Sequence, residues 1–325
     1  MKTYLRTLWI GLISYLLLVS FVSAQSGYPV KPIRLIIPFT PGGLTDTSGR
    51  FIADQLSIKL GQQVIAENRS GASGNIGTSL VANSEPDGYI LLLGFDGTLV
   101  INPHVSEKIP FDTVRDFSAI GKIGDAILIL VANNNFPGKT LNEMIAISKK
   151  DPQGLSYGTN GSGSSTHLAG ELLKQKTGAN LVHIPYKGGG QAMTDLLGGN
   201  IPLVYTAVAG ASQHIKSGRL TPLAVSSFQR SSSLPDVPTF MESGVKDFEL
   251  SSWVGLLAPA KTPRPIILRV NQALNEILAS AEGKDRLNAM GIMPTVGTPE
   301  KFAEQIKFDL NRFGAIVKNA NIKAE

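Results

Sequence analysis

The stretch Pro38-Phe39-Thr40-Pro41-Gly42-Gly43-Leu44-Thr45-Asp46-Thr47-Ser48-Gly49-Arg50 decides the fold class. The apolar run Ile33–Ile37 before it reads as a buried strand. After it, Phe51, Ile52, Leu56 and Leu60 recur at the spacing of one helix face. The order is therefore strand, Gly-Gly turn, helix start. Gly42 and Gly43 lack Cβ atoms, so a ligand can approach the backbone closely. Thr45 or Asp46 is placed to cap the helix. The first turn then offers N–H groups and the positive end of the helix dipole, which suits a carboxylate or a phosphate. The plainer reading is an ordinary tight strand-to-helix turn with a cap. No Gly-Lys-Ser/Thr closes the stretch and it is not G-x-G-x-x-G, so a nucleotide reading lacks its lysine and its spacing.

Working outward, the pattern alternates strands and helices, which argues an α/β fold with mostly parallel sheet. Strands are expected at Val64–Asn68, Ile90–Phe95, Ala126–Val131, Leu155–Gly158, Val182–Tyr186, Ile201–Val208, Leu220–Ser226 and 251–257. Phe111–Phe117 reads as a connection with a short helical turn, Arg230–Thr239 as surface loop, and the tail from Ile266 as helices. The first turn has counterparts. Arg69–Gly77 and Thr159–Thr166 are Gly-rich and enter helices, and Lys187-Gly188-Gly189-Gly190 closes a strand in the same way. Four such turns, poor in bulky side chains, suggest a backbone-lined cleft at the carboxyl ends of strands, where open α/β sheets bind ligands.

Composition bounds the function. Lys2 and Arg6 precede the apolar segment Leu8–Val22, and Val22-Ser23-Ala24 has the small residues of a cleavage site. Residues 1–24 are thus expected to be a cleaved signal peptide, and the protein to be periplasmic. Cleavage lowers the formal charge from +5 to +3 and leaves 301 of 325 residues, which suits two domains. The chain has no Cys, so neither a disulfide nor a thiol nucleophile is available. The mild basicity fits anionic small ligands, and no Lys/Arg run with interleaved aromatics points to nucleic acid.

Enzyme readings are weaker. Gly71-Ala72-Ser73-Gly74-Asn75 fails G-x-S-x-G at its last position, and Gly161-Ser162-Gly163 has the wrong spacing. His104, His167, His183 and His214 form no H-E-x-x-H, so no metal site is expected. Asp46 as a general base, or His167 beside its Gly-rich turn, leaves a secreted enzyme as the alternative; capping or packing roles are the plainer ones.

An ordered set of motifs then resembles one family. It comprises Pro38–Gly43 with Asp46 and Arg50, Glu67-Asn68-Arg69 with Gly71-Ala72, Gly74 and Ile76-Gly77, Pro86-Asp87-Gly88-Tyr89, Asn102-Pro103, and Asp116-Phe117. Gly161–Ser164 with His167–Gly170, Pro185–Gly189, Arg230-Ser231, Leu234–Thr239, Trp253 and Gly291 complete it. This set resembles the Bug-type periplasmic solute-binding proteins of tripartite tricarboxylate transporters across the whole mature chain. The resemblance implies a two-domain type II periplasmic-binding-protein clamshell with a hinge of crossing strands. Residues 28–127 plus 251–325 would form domain 1 and residues 128–250 domain 2, with Ala126–Val131 and Leu220–Ser226 as the crossings. It also implies a non-enzymatic, monomeric receptor without cofactors that binds a small carboxylate and serves membrane permease subunits.

Carried over by position, the resemblance assigns the ligand site to Pro41, Gly42, Gly43, Leu44, Thr45 and Asp46 for one carboxylate. Ala72, Ser73, Thr159, Asn160, Gly163, Ser164 and His167 would surround the rest, and Tyr186, Lys187, Gly188 and Gly189 would line the second domain's wall. One departure bears on specificity. Where relatives usually read like V-D-L-M-F-D, this chain reads Ile201-Pro202-Leu203-Val204-Tyr205-Thr206. Thr206 replaces an acid, so a ligand ammonium would lack its counter-charge. A non-amino carboxylate is expected.

Overall fold

A computed structural model describes residues 27–39, 41–42, 44–106, 108–186, 189–248, 250 and 252–319. The expected signal peptide, Gly43, Lys187 and Gly188 lie outside these residues.

The first strand, β1 (Ile33–Ile37), is buried almost throughout because neighbours flank it on both edges and helices cover its faces. The helix Leu44–Leu60 lays Phe51, Ile52, Leu56 and Leu60 against Ile33, Leu35 and Ile37. Next come β2 (Val64–Asn68), the helix Asn75–Ala82 and β3 (Ile90–Phe95). Both β2 and β3 pair with β1 in parallel. After a single π-helical turn (Gly97–Ile101) and the short helix Asn102–Val105, β4 (Phe117–Ala126) runs directly into β5 (Leu128–Asn133) across Ile127.

The second half repeats the plan with the helices Leu141–Lys150, Ser165–Thr177, Gly189–Leu197 and Val208–Lys216. Its strands are β6 (Leu155–Thr159), β7 (Leu181–Pro185), β8 (Leu203–Ala207) and β9 (Leu220–Val225). The chain then returns through β10 (Ser252–Pro259) and β11 (Ile292–Pro294) with the helices Arg264–Ala279, Ala281–Ala289 and Pro299–Asn319.

Two sheets result, in the orders β11-β4-β10-β3-β1-β2 and β7-β6-β8-β5-β9. Each has three parallel strands, but each also carries antiparallel ones. This corrects the expectation of mostly parallel sheet. Strands that enter a sheet from the other half arrive at the end where the parallel strands finish, and so must run against them. The architecture is the two-domain α/β clamshell.

Two further expectations are corrected. The apolar run Ala126–Val131 is not one strand but the junction of two, β4 and β5, in different sheets. The sequence of β4, Phe-Ser-Ala-Ile-Gly-Lys-Ile-Gly-Asp-Ala, hides its strand character behind two glycines. Those glycines mark close approach: a Cβ at Gly121 would lie 2.9 Å from Asn271 Nδ2, and one at Gly124 would strike the Met293 backbone of β11. Similarly, Leu220–Val225 lies wholly in the second sheet, and the return crossing comes later.

The crossings are tied together. Ser226 N–H donates to Leu128 O (2.9 Å), Leu128 N–H donates to Ser226 Oγ (3.2 Å), and Leu250 N–H donates to Ser226 O (3.2 Å). Ser252 is in register with Ala126. Beneath them one apolar cluster joins the halves, from Leu92, Leu99 and Phe111 through Phe313 and Val317 to Leu168, Tyr157 and Phe240. Trp253 is anchored in it by an Nε1–H bond to Asp309 Oδ2 (2.8 Å).

Candidate functional site

Two of the parallel strands of each sheet, β1 and β2 in the first and β6 and β7 in the second, end in Gly-rich turns. Turn one leaves β1. The helix after it begins at Leu44, so Thr45 and Asp46 lie inside its first turn instead of at the cap. Asp46 reaches back: Oδ2 accepts the Gly42 N–H (2.9 Å), while Oδ1 accepts Asn68 Nδ2 (2.8 Å) and pairs with Arg50 Nε (3.0 Å). Asn68 Nδ2 also donates to Phe39 O (3.0 Å), and Arg50 Nη2 donates to Asn68 Oδ1 (2.6 Å). Burial pushes the Asp46 carboxyl up, but the Gly42, Asn68 and Arg50 bonds together hold it below the ordinary carboxylate range. Both of its oxygens are engaged, so Asp46 builds the turn and is poorly placed as a general base. Pro41 and Gly42 are exposed, Leu44 is half-buried and Thr45 is buried.

Turn two leaves β2. Gly71 (φ 133°), Ala72 (47°), Ser73 (53°) and Gly74 (91°) form a consecutive run of positive φ. For Ala72 and Ser73 this conformation is costly, and it persists only where the surroundings over-determine it. They do so here. Ser73 O accepts Thr98 Oγ1 (2.8 Å) and Asn102 Nδ2 (3.1 Å), and Asn102 Nδ2 also reaches Asn75 Oδ1 (3.2 Å). Ala72 and Ser73 are exposed. The following helix abuts turn one, since a Cβ at Gly77 would lie 3.0 Å from Pro38 Cα.

Turn three leaves β6. Ser164 caps the next helix: its Oγ accepts the His167 N–H (3.2 Å) and donates to Gly161 O (2.7 Å). The Gly163 N–H donates to His167 Nδ1 (3.1 Å). Thr159 is fully buried, with its hydroxyl 2.6 Å from His183 Nε2 and accepting the Gly161 N–H (3.2 Å). Asn160 is exposed. Turn three also touches the first domain, because a Cβ at Gly163 would lie 3.0 Å from Val105 Cγ1.

Turn four leaves β7. Tyr186 N–H donates to Thr159 O (3.3 Å), and its hydroxyl donates to Asp195 Oδ2 (2.7 Å). A Cβ at Gly189 would lie 2.7 Å from Asn160 Oδ1 and 3.8 Å from Thr206 Oγ1. Thr206, near the end of β8, is thus beside the first residue of the Gly189–Leu197 helix and is buried.

Turns one and two therefore lie side by side at the end of the first sheet, turns three and four with Thr206 lie side by side at the end of the second, and Gly163 of turn three lies against Val105 of the short helix that follows β3. Asp46, Thr159, Ser164, His167 and the Tyr186 hydroxyl have protein partners and shape the turns. The residues that brace turn two, Thr98 and Asn102, were not among the expected site residues. The signals for them are the Asn102-Pro103 pair in the motif set and, for Thr98, its place in the segment after β3.

Comparison with known proteins agrees with this architecture. Residues 49–322 match the model of the tripartite tricarboxylate transporter family receptor, TctC. Protein BugT of Bordetella pertussis is 37% identical over 303 residues, covering 93% of each chain. The solved structure of R. palustris Rpa4515 with adipate superposes with a TM-score of 0.85 at 32% identity, covering 92% of this chain and 100% of that one. MatC from Rhodopseudomonas palustris, solved with bound malate, gives 0.79 at 27% identity, covering 89% and 100%. The chain belongs to the tripartite tricarboxylate transporter receptor family.

Proposed function

We propose that this receptor captures a small non-amino carboxylate, a di- or tricarboxylate or an aromatic carboxylate, between its two domains. One observation carries the reading. The positive-φ backbone of turn two stands beside turn one, and on this reading turns three and four close the site from the other domain. Backbone N–H groups and hydroxyls on such turns suit an anion without an arginine clamp. The cations described on turns one and two, Arg50 and Arg69, are already paired with Asp46 and Glu67. Adipate and malate in the R. palustris structures support the ligand class. Thr206 beside Gly189 favours a ligand without an ammonium group.

On this reading residues 28–127 with 251–325 form one lobe and residues 128–250 the other, and ligand stabilises their closed arrangement. The protein is exported by residues 1–24 to the periplasm and delivers its ligand to the permease subunits of a tripartite tricarboxylate transporter. The engagement of Asp46 and His167 by protein groups supports binding over turnover.

Thermal unfolding of the mature, ligand-stripped protein against carboxylates, amino acids and sugars tests this. A ligand at about a thousand times its Kd should add about 4 kcal/mol, which raises Tm by several degrees. A shift confined to carboxylates supports the proposal. Largest shifts with amino acids refute the Thr206 argument, and appearance of product on incubation refutes the receptor reading.

A further inference from the structure

Beneath turn three lies a pair of histidines that ligand binding, as proposed, does not use. His167 and His183 stack with ring centroids 3.7 Å apart and planes 9° from parallel. His167 comes from the helix that turn three starts, and His183 from β7 next to it. Each ring touches the turn through one nitrogen. His167 Nδ1 accepts the Gly163 N–H (3.1 Å), and His183 Nε2 lies 2.6 Å from the Thr159 hydroxyl, which in turn holds the Gly161 N–H.

The first contact sets a protonation state. A nitrogen that accepts an N–H carries no proton of its own, so His167 is neutral with its proton on Nε2. Protonating Nδ1 would set two donors face to face at 3.1 Å, and Gly163 would have to leave. Gly163 has φ +72° and lies against Val105 of the other domain. Moving it would alter both the site wall and a contact between the lobes.

The surrounding charges oppose protonation on balance. On the same helix Glu171 Oε1 is 3.9 Å from His167 Nε2, which favours a cation, but that carboxylate already holds Lys174 Nζ (2.9 Å) and the Tyr157 hydroxyl of β6 (3.0 Å). The Tyr157 ring also packs 5.3 Å from His183. Burial first, and then Lys174, brings His167 down to about 4. Burial and the neighbouring His167 ring bring His183 down to about 3, with Lys174 adding to this and Glu171 opposing it.

We propose that the stacked His167–His183 pair is the positioning device of turn three, holding it in its binding form only while His167 is neutral and releasing it on protonation. The inference rests on the proposed role of turn three in the ligand site. The contribution of the pair to stability is complete above the ordinary histidine range, near pH 6.5, and is lost as pH falls through the lowered values. Ligand would be surrendered in acid from the turn three side first.

Nitrogen-15 NMR of the mature protein, without ligand, tests this independently of what the site binds. The imidazole resonances and the protection of the Gly163 amide, relative to its intrinsic exchange rate, are followed from pH 7.5 to 3.5. His167 should show an unprotonated Nδ1 at pH 7.5 and remain neutral below pH 5. Gly163 protection should then fall at least tenfold in step with its titration. His167→Asn, whose carboxamide oxygen can accept the same N–H without titrating, should keep Gly163 protected at pH 3.5. A His167 that titrates near pH 6.5, or Gly163 protection indifferent to its titration, overturns the proposal. Equal loss of protection in His167→Asn does so too. If that variant does not fold, the wild-type titration alone decides.

Discussion

The Asp46 carboxylate accepts the N–H of Gly42, four residues earlier, at 2.9 Å. With Asn68 and Arg50 on its other oxygen, it joins the ends of β1 and β2 to the helix between them. Asp46→Ala should therefore cost about 3 kcal/mol, because three donors lose a charged acceptor. Ligand affinity should fall at least tenfold as turn one loosens. Because the Asp46 carboxyl is held below its ordinary range, its contribution is present above the unfolded value and is lost as pH falls through the folded one. Urea unfolding of wild type and variant at pH 7 and pH 3 checks this: the gap between them should narrow in acid.

Turn two gives a steric prediction. Gly74 has φ +91°, and a Cβ there would lie 2.5 Å from Thr98 Oγ1. Gly74→Ala should cost about 1–3 kcal/mol through backbone strain and displacement of Thr98. Because Thr98 Oγ1 holds Ser73 O, the variant should also lose ligand affinity. Tm and calorimetric Kd, measured together, would show this. A destabilised variant that binds normally would remove turn two from the site.

Asp96 is fully buried at the end of β3. Its Oδ1 accepts the Gly97 N–H (2.8 Å) and the Ser252 hydroxyl (2.6 Å), and its Oδ2 has no partner among the described residues. Burial pushes this carboxyl up to about 8, the Asp309 and Asp125 charges add to that, and the two hydrogen bonds only partly offset it. A raised value means that its contribution is complete below about pH 4 and is lost on the way up to about pH 8. The stability of wild type relative to Asp96→Asn should fall by about 1.4 kcal/mol per pH unit within that window. Urea melts at pH 5 and pH 7.5 measure the slope, and a flat difference would show that Asp96 is ionised in the fold.

Specificity should follow Thr206. Its hydroxyl lies beside Gly189, at a position where the family resemblance leads one to expect an acid. Thr206→Asp should weaken binding of a dicarboxylate by tenfold or more and improve aspartate or glutamate relative to it. Thermal shifts with the same panel on both proteins check the exchange. Unchanged preference would place Thr206 outside ligand reach.

These cases show what a sequence reveals. The strands and Gly-rich turns of the parallel segments were legible because apolar runs ending in glycine have few other readings. The helix from Pro299 was legible for a different reason, its helical spacing of apolar residues. The strand β4 was not, since Gly121 and Gly124 serve contacts with Asn271 and β11 that no local pattern announces. The antiparallel pairings of β10 were also hidden, because they depend on where the chain crosses between sheets. Within the candidate site, residue types pointed to the turns but not to the tasks of their side chains. Asp46, Ser164 and His167 could each have faced a ligand, and only the geometry shows them bonded to Gly42, Gly161 and Gly163. The bracing of Ser73 by Thr98 and Asn102 spans 25 and 29 residues, beyond any local motif.

The central claim is that these turns hold a carboxylate without transforming it. Calorimetric titration of adipate and malate, then a wider set of di- and tricarboxylates and aromatic carboxylates, into stripped and refolded protein tests it most directly. The account predicts saturable one-to-one binding of at least one of them, with the ligand recovered unchanged. Silence from every carboxylate, with binding of an amino acid or a sugar instead, would contradict it.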